Sequence, residues 1–120
     1  MKDAKFNEAS VLLEIHMMEL GLTFVPEYKF CDGREWKFDY VLGTHGSDET
    51  RIAIEIEGGV GYFKNPRGQV IRGGRHSRED GYRSDLEKYR MASALGYRLY
   101  RFSTREVLDG TAKAFLEKWA

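Results

Sequence analysis

The segment Arg51-Ile52-Ala53-Ile54-Glu55-Ile56-Glu57 limits what this chain can fold into more than any other. Side chains alternate across a β-strand, so the three isoleucines share one face and both glutamates the other. A second segment, Trp36-Lys37-Phe38-Asp39-Tyr40-Val41-Leu42, repeats the pattern. There Asp39 is expected to point away from Trp36, Phe38, Tyr40 and Leu42. The apolar flanks make the Glu55 segment a central strand covered on both faces, the plainer alternative being the solvated side of an antiparallel strand. If the two strands pair, Asp39, Glu55 and Glu57 converge. Three neighbouring carboxylates repel one another unless something positive sits among them, and a hard divalent cation such as Mg²⁺ meets that need.

The formal charge is balanced at 19 basic and 19 acidic residues, but its distribution is uneven. Residues 1–57 carry 12 acids and 6 bases. Residues 58–78 carry Lys64, Arg67, Arg72, Arg75 and Arg78, six glycines and no acid. A basic glycine-rich loop directly after an acidic strand suits a phosphate-rich polymer held over a metal; taken alone, it reads as a solvated surface loop. With 120 residues, one domain over 1–120 is expected. The single Cys31 excludes an internal disulfide and points to a reducing, cytoplasmic setting. No apolar run approaches the roughly 18 residues of a membrane span, and no signal-peptide hydrophobic region opens the chain.

Periodicity predicts a helix over 4–20, with Phe6, Ala9, Leu13, Met17 and Leu20 on one stripe, and Glu8, Leu12, Ile15 and Glu19 beside it. Strands are expected over 23–30, where Pro26 marks an edge or a bulge, and over 35–42 and 51–57. Cys31-Asp32-Gly33-Arg34 reads as the turn between the first two. After the loop over 58–78, a helix over 77–95 is expected to carry Tyr82, Leu86, Tyr89 and Ser93 on one stripe, with Asp85 and Lys88 on a neighbouring edge. A strand over 97–102 follows. Ser103 or Thr104 can cap a short helical turn, and Thr111 a last helix through Trp119. The order α-β-β-β-α-β-α predicts an α/β fold, a mixed central sheet flanked by helices.

Hydrolysing a phosphodiester needs a metal to neutralise the phosphate and activate a water, and residues on these elements can supply its ligands. Asp39 and Glu55 are the candidate metal ligands, with a backbone carbonyl near Ile56 and, packing permitting, Glu8. Glu57 can orient or deprotonate a water. Lys88 can set positive charge near the transition state, or be no more than a surface ion pair with Asp85. Arg72, Arg75 and Arg78, with Lys64 and Arg67, are candidate phosphate contacts. His76 can bind phosphate, assist proton transfer or be a plain loop histidine. Tyr62 and Phe63 are the candidates for stacking on bases. Trp36, Phe38, Tyr82 and Tyr89 read as core, His16 as structural, and His45, Glu14 and Glu19 as solvated. Scattered histidines and a lone cysteine exclude a zinc site.

Asp39, with Glu55-Ile56-Glu57 sixteen positions on, resembles the PD-(D/E)XK nuclease superfamily. The resemblance runs through Glu8, Glu27-Tyr28-Lys29-Phe30, Trp36-Lys37-Phe38-Asp39, Glu55-Ile56-Glu57-Gly58-Gly59, Gly74-Arg75-His76, Asp85-Leu86-Glu87-Lys88-Tyr89 and Tyr97-Arg98-Leu99-Tyr100-Arg101-Phe102. It is similar to small bacterial and phage members of the VRR-NUC and Holliday-junction-resolvase-like groups, and to very-short-patch-repair-like endonucleases. The superfamily's Pro is Phe38 here and its usual Lys is Glu57, which makes Lys88 a stand-in. The resemblance implies a restriction-endonuclease-like αβββαβ core and a DNA endonuclease using Mg²⁺ or Mn²⁺ that leaves 5′-phosphates, acting as a homodimer. The small size favours recognition of branches, flaps, nicks or mismatches. The alternative is a nucleic-acid-binding or assembly module that keeps the fold without catalysis, a reading that Glu57 keeps open.

Overall fold

The computed structural model describes residues 4–43, 51–57, 62–64, 70–72 and 79–120; for residues 4–6, 62–64, 70–72 and 79–84 it describes the backbone alone. The order is α1 (Ala4–Glu19), β1 (Phe24–Lys29), β2 (Lys37–Leu42), β3 (Ile52–Glu57), β4 (Tyr62–Lys64), β5 (Val70–Arg72), α2 (Glu79–Ala94), β6 (Arg98–Ser103), α3 (Thr104–Leu108) and α4 (Thr111–Leu116). The main sheet runs β1-β2-β3-β6. Its first two pairings are antiparallel and β3–β6 is parallel. A parallel pair needs a long crossover, which the stretch holding α2 supplies. This is the mixed sheet flanked by helices that the element order predicts. β4 and β5 form a separate antiparallel pair inside the stretch expected to be loop throughout.

α1 and α2 end in the same way. Gly21 (φ +74°) and Gly96 (φ +86°) take the left-handed conformation that side chains resist. Leu22 N–H then reaches back to Met17 O at 2.9 Å, and Tyr97 N–H to Ala92 O at 3.0 Å. These are Schellman closures, each sealed by packing of the residue after the glycine on the last turn. Each sets the angle at which the chain enters the next strand. At α3 the Ser103 hydroxyl accepts the Glu106 N–H while Glu106 returns a bond to the Ser103 N–H, a capping box. α4 differs from expectation: Gly110 precedes it, and Asp109 rather than Thr111 supplies the oxygen, accepting from the Thr111 N–H and hydroxyl.

β3 is buried from Ile52 through Ile56. Its isoleucines join Ala9, Leu13 and Met17 of α1, Val107 of α3 and Ala112 and Leu116 of α4 in one apolar cluster. Ala53 faces the other way, into a smaller cluster with Phe30, Phe38, Val41, Ala92 and Tyr97. The alternation of β2 departs from expectation. Tyr40 and Leu42 share a face, that of the α1 cluster, but Phe38 and Trp36, expected beside them, lie with Val41 on the other. β1 switches faces at the same level: Phe24 packs on the α1 cluster and Tyr28 on the second. The register pairs Pro26 with Tyr40 and Tyr28 with Phe38, so the switch falls at Glu27 and Asp39. Glu27 has φ +51°, a conformation that costs a non-glycine residue about 1 kcal/mol or more. A local twist of this edge pair turns Phe38 under α2 and frees Asp39 from the face alternation would give it.

Candidate functional site

The β2–β3 ladder pairs Tyr40 with Ile54 and Val41 with Ala53, and does not continue to Asp39 and Glu55. In its place the half-buried Asp39 uses its side chain: Oδ2 accepts the Ile56 N–H at 2.8 Å. The carboxylate is thereby fixed against the strand that carries Glu55. The backbone carbonyl expected to assist near Ile56 belongs to the residue whose N–H Asp39 holds.

Glu55 faces α2. Lys88 Nζ reaches its Oε2 at 2.6 Å, and the Tyr89 hydroxyl donates to its Oε1 at 2.7 Å. The Glu55 and Lys88 side chains are only 8% and 9% exposed. Burial pushes the Glu55 carboxyl up from its usual range, the Lys88 charge and the two hydrogen bonds oppose that rise, and the neighbouring Asp39 charge adds to it. The Tyr89 phenol is also pushed up, by burial first and then by the Glu55 charge and hydrogen bond. Phe38, turned to this side, sets its ring 5.8 Å from Lys88 Nζ and helps exclude water from the pair.

The buried face of α2 is not the expected apolar stripe. Leu86 is exposed, whereas Asp85, Lys88 and Ala92 are buried. The spacing of three and four puts them on one side of the helix. Lys88 is therefore not a surface group but a buried cation aimed at the sheet. Tyr89, expected in the core, is a hydrogen-bond donor to the site.

Glu57 lies beyond Glu55 on the same face and is less enclosed. Its carboxylate takes a hydrogen bond and ion pair from Arg101 Nε on β6. The Arg101 guanidinium lies 4.5 Å from the centre of the Tyr89 ring. Glu8 does not join this group: it is exposed on α1, lining an open groove of about 460 Å³ with Asn7, Val11, Leu12 and Ile15. Among the described residues no three His, Cys, Asp or Glu side chains are grouped so as to hold a metal ion. Two acids of α1 expected to be solvated have partners: Tyr40 donates to Glu14 at 2.6 Å, and Lys113 pairs with Glu19 at 3.0 Å.

Lys64 and Arg72 lie at one end each of β4 and β5, where the backbone alone is described. Arg67, Arg75, His76 and Arg78 lie outside the described residues, as does His45. Sequence reasoning passed over Arg101. Its signal is the parallel register that sets Arg101 beside Glu55 and Ser103 beside Glu57, a pairing no local pattern announces. Among the described residues no helix is long and apolar enough to cross a membrane.

No family model matches the chain, and no curated protein matches it. Among solved structures, the fold is similar to that of the homing endonuclease I-Bth0305I catalytic domain. The TM-score is 0.60, with 92% of this chain and 90% of that chain covered at 16% sequence identity. The likeness is one of fold: a nuclease-like α/β core.

Proposed function

We propose that this chain is a metal-dependent DNA endonuclease of the PD-(D/E)XK kind, folded as one domain over residues 1–120. The observation that carries the reading is the buried Glu55–Lys88 pair set beside Asp39 where the β2–β3 ladder ends. Burying an ion pair costs several kcal/mol per ion, and well-packed apolar residues would serve stability as well or better. Charged groups kept in such a place are the mark of a site. The fold shared with a homing endonuclease catalytic domain supports the same activity.

The donor set fits Mg²⁺ or Mn²⁺. Asp39 and Glu55 offer hard carboxylate oxygens, near enough for one charge to raise the proton affinity of the other. Mg²⁺ binds through one or two carboxylates and fills its shell with water and substrate phosphate oxygens. Asp39, Glu55 and the Ile56 carbonyl would hold it. Bound there, the ion supplies charge against the phosphate and acidifies a water near neutral pH. The chain's own groups do the rest. Lys88 counters the burial penalty on Glu55 and holds positive charge behind that carboxylate. Tyr89 holds the second Glu55 oxygen and so fixes the orientation of a ligand. Glu57 orients the attacking water. Lys64, Arg67, Arg72, Arg75, His76 and Arg78 hold the DNA backbone. Products carry 5′-phosphates, the preferred substrates are branched, nicked or mismatched, the active form is a homodimer, and the setting is cytoplasmic.

Incubating the protein with branched and linear DNA in Mg²⁺, Mn²⁺ or chelator tests this. Metal-dependent cutting, abolished by Asp39→Ala and by Glu55→Ala, is the expected result; absence of cutting in every metal would sink it. The ion pair that commits Glu57 to Arg101 favours a second reading, a nucleic-acid-binding or assembly module without catalysis. That reading expects salt-sensitive DNA binding, unchanged by Asp39→Ala, and no cleavage.

A further inference from the structure

We infer that Arg101 contacts a backbone phosphate of the bound DNA at this site, an inference that rests on the proposal that DNA is the ligand. The site's carboxylates set the problem. Asp39, Glu55 and Glu57 lie close together, and among the described contacts Lys88 pairs with Glu55 and Arg101 with Glu57. Each of these acids repels an approaching phosphodiester, and with the metal withdrawn only the chain's own cations can offset that. Lys88 is spent: its ammonium is buried and bonded to Glu55. Arg101 is 43% exposed at the side chain, so its charge faces solvent where the polymer would arrive.

Its placement is built rather than incidental. Parallel pairing sets Arg101 beside Glu55, so both side chains leave the sheet on the same face. The Nε–H is held by Glu57, and the guanidinium lies over the Tyr89 ring, whose hydroxyl holds Glu55. Two contacts on different elements fix the plane of the fork, and the Nη groups carry four further N–H donors suited to phosphate oxygens. Glu57 thereby acquires a second task, aiming a cation. A lysine here would bring charge without the planar fork or the stacking surface.

The experiment compares wild type with Arg101→Met and Arg101→Lys. DNA affinity is measured in chelator over a range of salt concentrations, single-turnover cleavage is measured in Mg²⁺, and melting temperature is followed by circular dichroism. Arg101→Met is expected to weaken binding about 10-fold or more at low salt and to lower the slope of log affinity against log salt by about one. Arg101→Lys is expected to restore that slope while cleaving more slowly than wild type. A merely structural arginine would shift the melting temperature and leave the slope alone. Arg101→Met with wild-type affinity and slope overturns the inference, whether or not the wild type cuts. If the wild type binds DNA but never cuts it, the nuclease reading fails and the slopes still decide Arg101. If the wild type does not bind DNA, both fall.

Discussion

The two faces of the central sheet are built on different terms. Beneath α1, α3 and α4 the cluster is apolar, and at its margin the Tyr40 hydroxyl meets Glu14 and Ser10. Beneath α2 a smaller aromatic cluster gives way, toward the C-terminal end of β3, to buried Glu55, Lys88 and Asp85. The first face is a core that can be read as transfer free energy. The second keeps charges that a core would discard. Damage to one should therefore show as lost stability, and damage to the other as lost chemistry.

The sharpest way to break this contrast is to take the α2 face apart in two steps. Lys88→Met alone strands a buried carboxylate and should cost about 3–5 kcal/mol in urea denaturation. Adding Glu55→Gln removes the stranded charge while leaving an acceptor for Tyr89. The double variant should recover stability close to wild type, or above it, and remain without cleavage activity. A double variant as unstable as the single one would mean that the pair is a structural element and that this face is core after all. Leu13→Ala, on the opposite face and fully buried, should cost about 2–5 kcal/mol through lost contacts and cavity. Its cleavage rate per folded molecule should match wild type. A rate that falls with Leu13→Ala would erase the distinction from the other side.

The same contrast explains what could be read in advance. The α1 face follows rules that a sequence states openly: Ala9, Leu13 and Met17 at helical spacing, Ile52, Ile54 and Ile56 at strand spacing, all buried where periodicity puts them. The α2 face departs from those rules, because it buries charged side chains among its aromatic ones. A stripe chosen for apolarity turned Leu86 inward, while the helix turns Asp85 and Lys88 inward instead. Regular alternation put Phe38 with Tyr40, but the positive φ of Glu27 and the bond from Ile56 N–H to Asp39 belong to strand neighbours, not to the segment itself. Arg101 was illegible for a similar reason: its place beside Glu55 depends on the register of two strands joined by a long crossover. Local pattern reports burial well. It reports poorly where a fold spends stability to hold charge.

The smallest effect is expected where the two faces meet. Ser103 stands opposite Glu57 in the β3–β6 register and, from the same position, caps α3, the helix that seals the apolar face through Val107. Ser103→Ala removes the acceptor for the Glu106 N–H and should cost about 1 kcal/mol of stability. Ser103→Thr keeps an acceptor and should cost less. If the faces are independent, the loss will appear in the denaturation midpoint alone, and the cleavage rate at saturating Mg²⁺ will be that of wild type. If the rate instead falls further than the folded fraction explains, the cap is also holding the end of β3, where Glu57 pairs with Arg101. Stability on one side would then be setting geometry on the other.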